Sequence, residues 1–299
     1  MSNINSNPDE ISLGLGGLHL SFRAVRPGFR LTLRPALWPY RTQLPPEILF
    51  RMHNQPAPIA DFGQASFDSG GNWSLHTWQG RNVLRVNAIG QEPNLPTYVI
   101  VFDAGGSQGD YYYESVNGVG PPDVVPVLGA PLDEILLVHL LAHGCGVLFH
   151  AAGVSLNGQG LLFAGKSRSG KSTLMNLWKN VGEAVLLGDE RISMRKQADG
   201  YWIYGTPWSS SAGVASPDSA PLEAVFILKH GSKNQAIRLK PSVAASSLLA
   251  RSFSPFWDSE GMAFTLKFLD ELVQTVPCYE LNLLPDPSAV EYVRWMLSL

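Results

Sequence analysis

The stretch QGLLFAGKSRSGKSTL, Gln159–Leu174, decides how the rest of the chain is read. Its first part, Gln159–Gly165, is an apolar run of strand length, and Asn157-Gly158 just before it is a two-residue hairpin signal. Its second part, Gly165-Lys166-Ser167-Arg168-Ser169-Gly170-Lys171-Ser172, is a complete G-x-x-x-x-G-K-S loop, followed by Thr173. Glycines in such a loop let backbone N–H groups curl around phosphate oxygens, and the helix that follows adds the positive end of its dipole. Lys171 is spaced to reach the outer phosphates, and the Ser172 hydroxyl to hold Mg²⁺. Beyond Gly170, the residues Leu174, Leu177, Trp178 and Val181 fall on one face of a helix that Gly182 stops. Strand, loop and helix in that order imply a cradle for nucleotide phosphates running from Gly165 to Thr173.

Working outward, a strand is expected over Val147–Leu156, with His150 on the face opposite Phe149. On the other side, EAVLLGDE at Glu183–Glu190 reads as a buried strand ending in two acids. In α/β sheets the carboxyl ends of strands surround the ligand, which turns Asp189 and Glu190 toward the phosphates. One carboxylate is expected to bind Mg²⁺ and one to accept the proton of an attacking hydroxyl or water. Further strands are expected at Leu222–Lys229 and Tyr279–Leu284, and helices near Val243–Ser252, Ser259–Val276 and Pro287–Leu297. Strands alternating with helices indicate an α/β core. The helix that precedes it, LDEILLVHLLAHG, carries His139 and His143 four apart; with no third ligand or H-E-x-x-H pattern in sight, they read as core or interface residues.

The first part of the chain reads differently. Short apolar runs at Leu18–Phe22, Phe29–Leu33, Asn82–Val86 and Thr97–Phe102 recur between Gly, Pro and Asn turn signals, with a short helical turn expected near Pro46–Met52. The Gly- and Pro-dense stretch Gly118–Pro131 marks a boundary, giving a β-rich domain over residues 1–125 and a catalytic domain over 126–299. Trp38, Tyr40, Trp73, Trp78 and Tyr111–Tyr113 are expected to fill a β-domain core, with a sugar or peptide groove as the other reading.

Composition narrows the partners. Of 299 residues 45% are hydrophobic, ample for a core, and 22 bases against 25 acids leave a net charge of −3. That balance gives no footprint for nucleic acid or an anionic membrane surface. Cys145 and Cys278 cannot constitute a disulfide framework. The opening MSNINSNPDE lacks the regions of a secretory signal, and the apolar stretch Leu132–Leu156 is broken by acids, histidines and glycines, so a cytoplasmic protein is expected.

Taken together, HAAGVSLNGQGLLFAGKSRSGKSTL followed by LLGDE resembles the catalytic domain of the bacterial HPr kinase/phosphorylase family and related serine kinases of peptide-biosynthesis clusters. Members carry a histidine fifteen residues before the first loop glycine, as His150 stands to Gly165, and an acid pair after the loop lysine, which Asp189-Glu190 matches with one extra residue. GTPW at Gly205–Trp208, LEAVFILKHG and FSPFWDSEG are similar to the HPr-kinase-like homologues rather than the true HPr kinases. The resemblance covers Leu132 to the C-terminus. It implies an α/β, P-loop (phosphoenolpyruvate-carboxykinase-like) kinase core behind an N-terminal β-rich domain. It further implies Asp189 as general base with His150 beside it, and Lys171 on the transferring phosphoryl group. ATP and Mg²⁺ are the implied cofactors, with Ser172, Asp189 and Glu190 around the metal.

Glu190 stands where a second aspartate is usual, and the glycine-rich segment tied to dephosphorylation is missing, so a bifunctional phosphorylase is not expected. The expected activity is ATP-dependent transfer to a hydroxyl, first a serine of a peptide or small protein. A small hydroxylated metabolite or free amino acid is the second choice of acceptor. A P-loop ATPase or nucleotide-binding regulator, with Glu190 polarising water, is the third reading. Arg168 and Arg191 are candidates to stabilise charge, and residues 205–216 to form a lid or acceptor loop. A homo-oligomer is compatible with the resemblance.

Overall fold

Apolar side chains at alternate positions set most of the strands, as in EISLGL, where Ile11, Leu13 and Leu15 are buried and the residues between them are not. The computed structural model describes residues 9–59, 61–87, 98–103, 106–114 and 124–297. It is a mixed α/β protein with several sheets and few helices. The chain divides into two compact units: the first runs to Leu136 apart from Leu15–Gly17, and the second takes that tripeptide and Leu137 onward.

In the first unit the strands are β1 (Glu10–Leu15), β2 (Leu18–Ala24), β3 (Arg30–Thr32), β4 (Ile48–His53) and β5 (Phe67–Asp68). They continue with β6 (Trp73–Trp78), β7 (Arg81–Val86), β8 (Tyr98–Phe102), β9 (Gln108–Tyr113) and β10 (Val124–Pro126). Eight of them form one sheet in the order β1-β2-β4-β9-β8-β7-β6-β5, while β10 pairs in parallel with β3. The helical turn expected near Pro46–Met52 is instead β4, because Ile48, Phe50 and Met52 alternate and are buried. Phe50 stacks on Phe22 at 5.3 Å, and Tyr111 meets the same ring edge-on. Tyr40 and Tyr111 are core, as expected, whereas Trp38 is 61% exposed. Asp110 accepts from Arg51 through both carboxylate oxygens, at 2.8 and 2.7 Å, and lies 3.0 Å from His53 Nε2. The segment expected as a strand at Thr97–Phe102 is β8, and the Gly- and Pro-dense boundary 118–131 lies partly outside the described residues.

After helix α1 (Leu132–Ala142) the second unit is built on two long strands that each serve two sheets. In β11 (Gly146–Leu156), residues 146–150 pair with β14 (Arg191–Gln197), and residues 151–156 pair with β12 (Gln159–Ala164). Asn157 and Gly158 both have positive φ, 51° and 82°, the hairpin turn that Asn-Gly favours. In β16 (Ser219–His230), the first residues pair with β15 (Gly200–Tyr204) and the rest with β12 and with β18 (Cys278–Leu283). Strand β13 (Ala184–Gly188) lies against the far half of β11, and β17 (Gln235–Arg238) against β18. The strands β14, β15 and β17 have no counterpart among the sequence expectations.

The pairings fix directions. β12, β16 and β18 run parallel, and β13, antiparallel to β11, therefore points the same way. One face of this sheet packs on α2 (Lys171–Trp178) and α5 (Ser288–Leu297), around Phe163, Trp178, Phe226 and Val293. The other packs on α3 (Pro241–Leu249) and α4 (Ser259–Thr275), around Phe149, Leu162, Leu248 and Phe268. All four carboxyl ends (Gly165, Asp189, His230 and Leu284) therefore open at one edge of the sheet. Among the described residues, no helix is long and apolar enough to cross a membrane.

Candidate functional site

At that edge lies a cavity of about 680 Å³, within the range of small-ligand pockets. It is lined by the loop from Ser167 through Thr173, by His150, Glu190 and Ser210, and by the ends of β16 and β18 with the residues that follow them.

The loop follows from its residue types. Arg168 and Gly170 take left-handed backbone, φ 64° and 95°, so the chain turns twice within three residues before α2 begins. Gly165 is needed for contact rather than φ, since a Cβ there would collide with the Ser169 hydroxyl and crowd Leu228 at 3.3 Å. No side chain caps α2, so its first N–H groups are left to the loop and whatever it cradles. Lys166, Ser167, Arg168 and Thr173 are exposed, whereas Lys171 is buried.

Lys171 Nζ donates to the carbonyls of Gly165 (2.8 Å) and Lys166 (3.2 Å), and stands 2.9 Å from His150 Nε2. An ammonium has only donors, so Nε2 is the acceptor and the His150 proton sits on Nδ1, 3.6 Å from Glu190 Oε1. Burial pushes His150 below the usual histidine range, and Lys171 pushes it further, against the pull of Glu190. Burial likewise lowers Lys171, opposed by Glu190. Glu190, His150 and Lys171 thus form a row of carboxylate, neutral imidazole and ammonium along the cavity wall. Arg191 continues it, its Nη1 3.5 Å from Glu190 Oε1 and its guanidinium over the rings of Phe253 (5.0 Å) and Trp208 (5.7 Å). Phe253 in turn meets the His150 ring edge-on at 6.5 Å.

The two acids part company. Asp189 has no exposed surface and accepts from Ser210 N (2.8 Å), Ser210 Oγ (2.8 Å) and Ala212 N (2.9 Å). Ser210 Oγ is also 3.2 Å from Ser172 Oγ, so a hydroxyl links the loop serine to Asp189. The segment 205–216, read as a lid or acceptor loop, is instead pinned along the strand ends. Thr206 donates to the Arg191 carbonyl at 2.6 Å, Ser216 N to Leu187 O, and Ala212 and Val214 are buried.

Sequence reading brought His150, Lys171, Ser172 and Glu190 to one place and singled out the stretches that hold Trp208, Ser210 and Phe253, but it gave those three residues no role and missed the segments 228–231 and 283–285. The last two could have been found by applying the strand-end rule to the expected strands Leu222–Lys229 and Tyr279–Leu284. Ser210 carries no signal of its own, since its role depends on the bridge between Gly188 and Ala215 that lays the segment over Asp189. His139 and His143 lie outside the cavity, and the third donor that sequence reading could not find is Asp258, brought in by the start of α4.

No curated protein matches the chain. A solved structure, the Hpr(Ser) kinase/phosphatase from Coxiella burnetii, is similar at 14% identity over 51% of this chain and 99% of that one, with a TM-score of 0.29. The family model that matches is a different one, described as SynChlorMet cassette protein ScmC, and its match takes in α1, the loop, both acids and the strands that surround the cavity, residues 132–285. Since that is more than half of the 299 residues, the chain belongs to the ScmC family of SynChlorMet cassette proteins.

Proposed function

We propose that this protein is an Mg²⁺-dependent kinase that moves the γ-phosphoryl group of ATP to a hydroxyl, first a serine of a peptide or small protein. The observation that carries the reading is the convergence of Lys171, Ser172, His150 and Glu190 on one cavity where four strands end. In this reading the second unit is a P-loop core of the phosphoenolpyruvate-carboxykinase-like kind, working in the cytoplasm without nucleic-acid or membrane partners.

The residues fit the group they are asked to hold. Backbone N–H groups between Ser167 and Thr173, apart from that of Ser169, which donates to the Lys166 carbonyl, would face phosphate oxygens, and Lys171 would exchange its carbonyl contacts for the outer phosphates. Leu177, Leu228, Leu283 and Pro285 give the cavity an apolar part suited to a nucleobase. Mg²⁺, when bound, would supply charge neutralisation, and Ser172, backed by Ser210 and Asp189, would be the residue to hold it. Glu190, the acid that lines the cavity, takes the acceptor proton through or beside His150, and neutral His150 orients it. Asp189, first expected in that role, keeps Ser210 and the metal side in place through its three accepted bonds. The acceptor side of the site in this reading is the group Arg191, Trp208 and Phe253 beside Glu190 and His150.

The test is turnover with Mg·ATP and pooled acceptors (serine peptides, free serine and threonine, sugars and polyols), with products read by mass spectrometry. Phosphorylation of one acceptor class establishes the kinase and names its substrate. Steady hydrolysis without a phosphorylated acceptor moves the assignment to an ATPase, and binding without turnover moves it to a regulator.

A further inference from the structure

Away from the nucleotide cavity, three donor side chains of two metal-binding types converge. His139 and His143 lie one turn apart on α1 and just beyond its end, their ring centroids 4.3 Å apart. Asp258 precedes α4 as its N-cap. One ligand atom from each of the three lies within 4.8 Å of the others.

The hydrogen bonds around the cluster aim it. His143 Nδ1 is 2.8 Å from the His139 carbonyl. A carbonyl only accepts, so Nδ1 carries the proton and the Nε2 lone pair is turned outward. Asp258 Oδ1 accepts from Glu260 N and Gly261 N, both at 3.0 Å, which leaves Oδ2 toward the histidine. Nε2 and Oδ2 then face each other at 3.4 Å, a pair that either a proton on Nε2 or a metal cation bridges. The gap matches the spacing of roughly 3.3 Å between donors on a tetrahedral cation with bonds of about 2.0–2.1 Å. The approach of the two segments is built in. At Gly261 a Cβ would stand 3.0 Å from Asp258 Oδ2 and 3.2 Å from Ala142 Cβ.

We propose that His139, His143 and Asp258 bind one first-row divalent cation, Zn²⁺ above all, clasping α1 to the start of α4. Two imidazoles and one carboxylate suit zinc rather than Mg²⁺ or Ca²⁺, which take all-oxygen sites. The half-buried His143 and Asp258 leave a fourth position open to water. The carbonyl bond to His143 and the cap bonds to Asp258 are the outer shell that orients the ligands.

The experiment uses the full chain, stripped with chelator and free of nucleotide, so that its outcome is independent of the kinase reading. Zn²⁺ is titrated by calorimetry, and Co²⁺ is followed by the visible absorption of a tetrahedral centre. The expected result is one equivalent bound per chain. Asp258→Asn retains a capping oxygen and the fold but loses the anionic ligand, and His143→Gln loses an imidazole; each weakens Zn²⁺ binding at least tenfold and abolishes the cobalt spectrum. Circular dichroism confirms that both variants are folded. No zinc bound by the parent protein, or equal binding by the parent and both folded variants, overturns the proposal.

Discussion

Neighbouring acids in one dipeptide meet opposite environments, and that contrast yields the sharpest residue-level predictions. Glu190→Gln keeps the shape of the cavity wall and removes its proton acceptor, so turnover falls by about two to four orders of magnitude while ATP affinity stays within a few-fold. Asp189→Asn leaves two backbone N–H groups and a hydroxyl facing a weaker acceptor. It costs about 1–3 kcal/mol of stability and shifts the Mg²⁺ requirement upward, read by thermal melts and by rate against Mg²⁺ concentration. Ser210→Ala breaks the link from Ser172 to Asp189 and raises the Mg²⁺ requirement in the same direction. Spacing from the loop already pointed to Asp189-Glu190 as the acids, but it could not divide their roles. The division depends on Ser210 and Ala212, which come from a segment more than twenty residues further on.

At the scale of elements, the loop works only while α2 stays seated on the sheet. Trp178 is fully buried and packs against Phe163 at 6.3 Å, one face of a helix whose other side is wet. Trp178→Ala costs about 3–5 kcal/mol in a denaturant melt and lowers nucleotide affinity, although the side chain is not among those lining the cavity. The helix and its stripe were legible because Leu174, Leu177, Trp178 and Val181 keep the helical period. The same period-reading failed at β4, where proline before Glu47 suggested a turn while Ile48, Phe50 and Met52 already spelled out a strand. It also missed β14 and β15, whose charged and aromatic residues, in RISMRKQ and GYWIY, blur the alternation. Sharing one long strand between two sheets leaves no local trace, because it is decided by which partner lies against each half of β11 and β16.

For the molecule as a whole, buried histidines set the response to acid. Burial holds His150 below 6.5, with Lys171 lowering and Glu190 raising it. Burial also lowers His76, with Arg85 adding to the effect and Asp68 opposing it. Below 6.5 the unfolded chain takes up protons that the folded one refuses, so stability falls as pH drops from 7 toward 5. Asp110 adds a second loss at lower pH: burial alone would raise it, but Arg51 and His53 outweigh that and hold it below 3.8. Thermal melts across pH 4–8 should show a plateau at neutral pH and decline on the acid side; stability that rises on acidification contradicts the assignment of these histidines as neutral. The β-rich character of the first unit was readable from its turn signals, but its strand order, with β9 inserted between β4 and β8, was not. The kinase reading of the second unit rests on nucleotide phosphates entering the loop, which calorimetric titration of Mg·ATP into the parent protein and into Lys171→Ala probes. One site per chain is expected in the parent and at least a hundredfold weaker binding in a folded Lys171→Ala; equal affinity in the two proteins would overturn the phosphate-loop assignment.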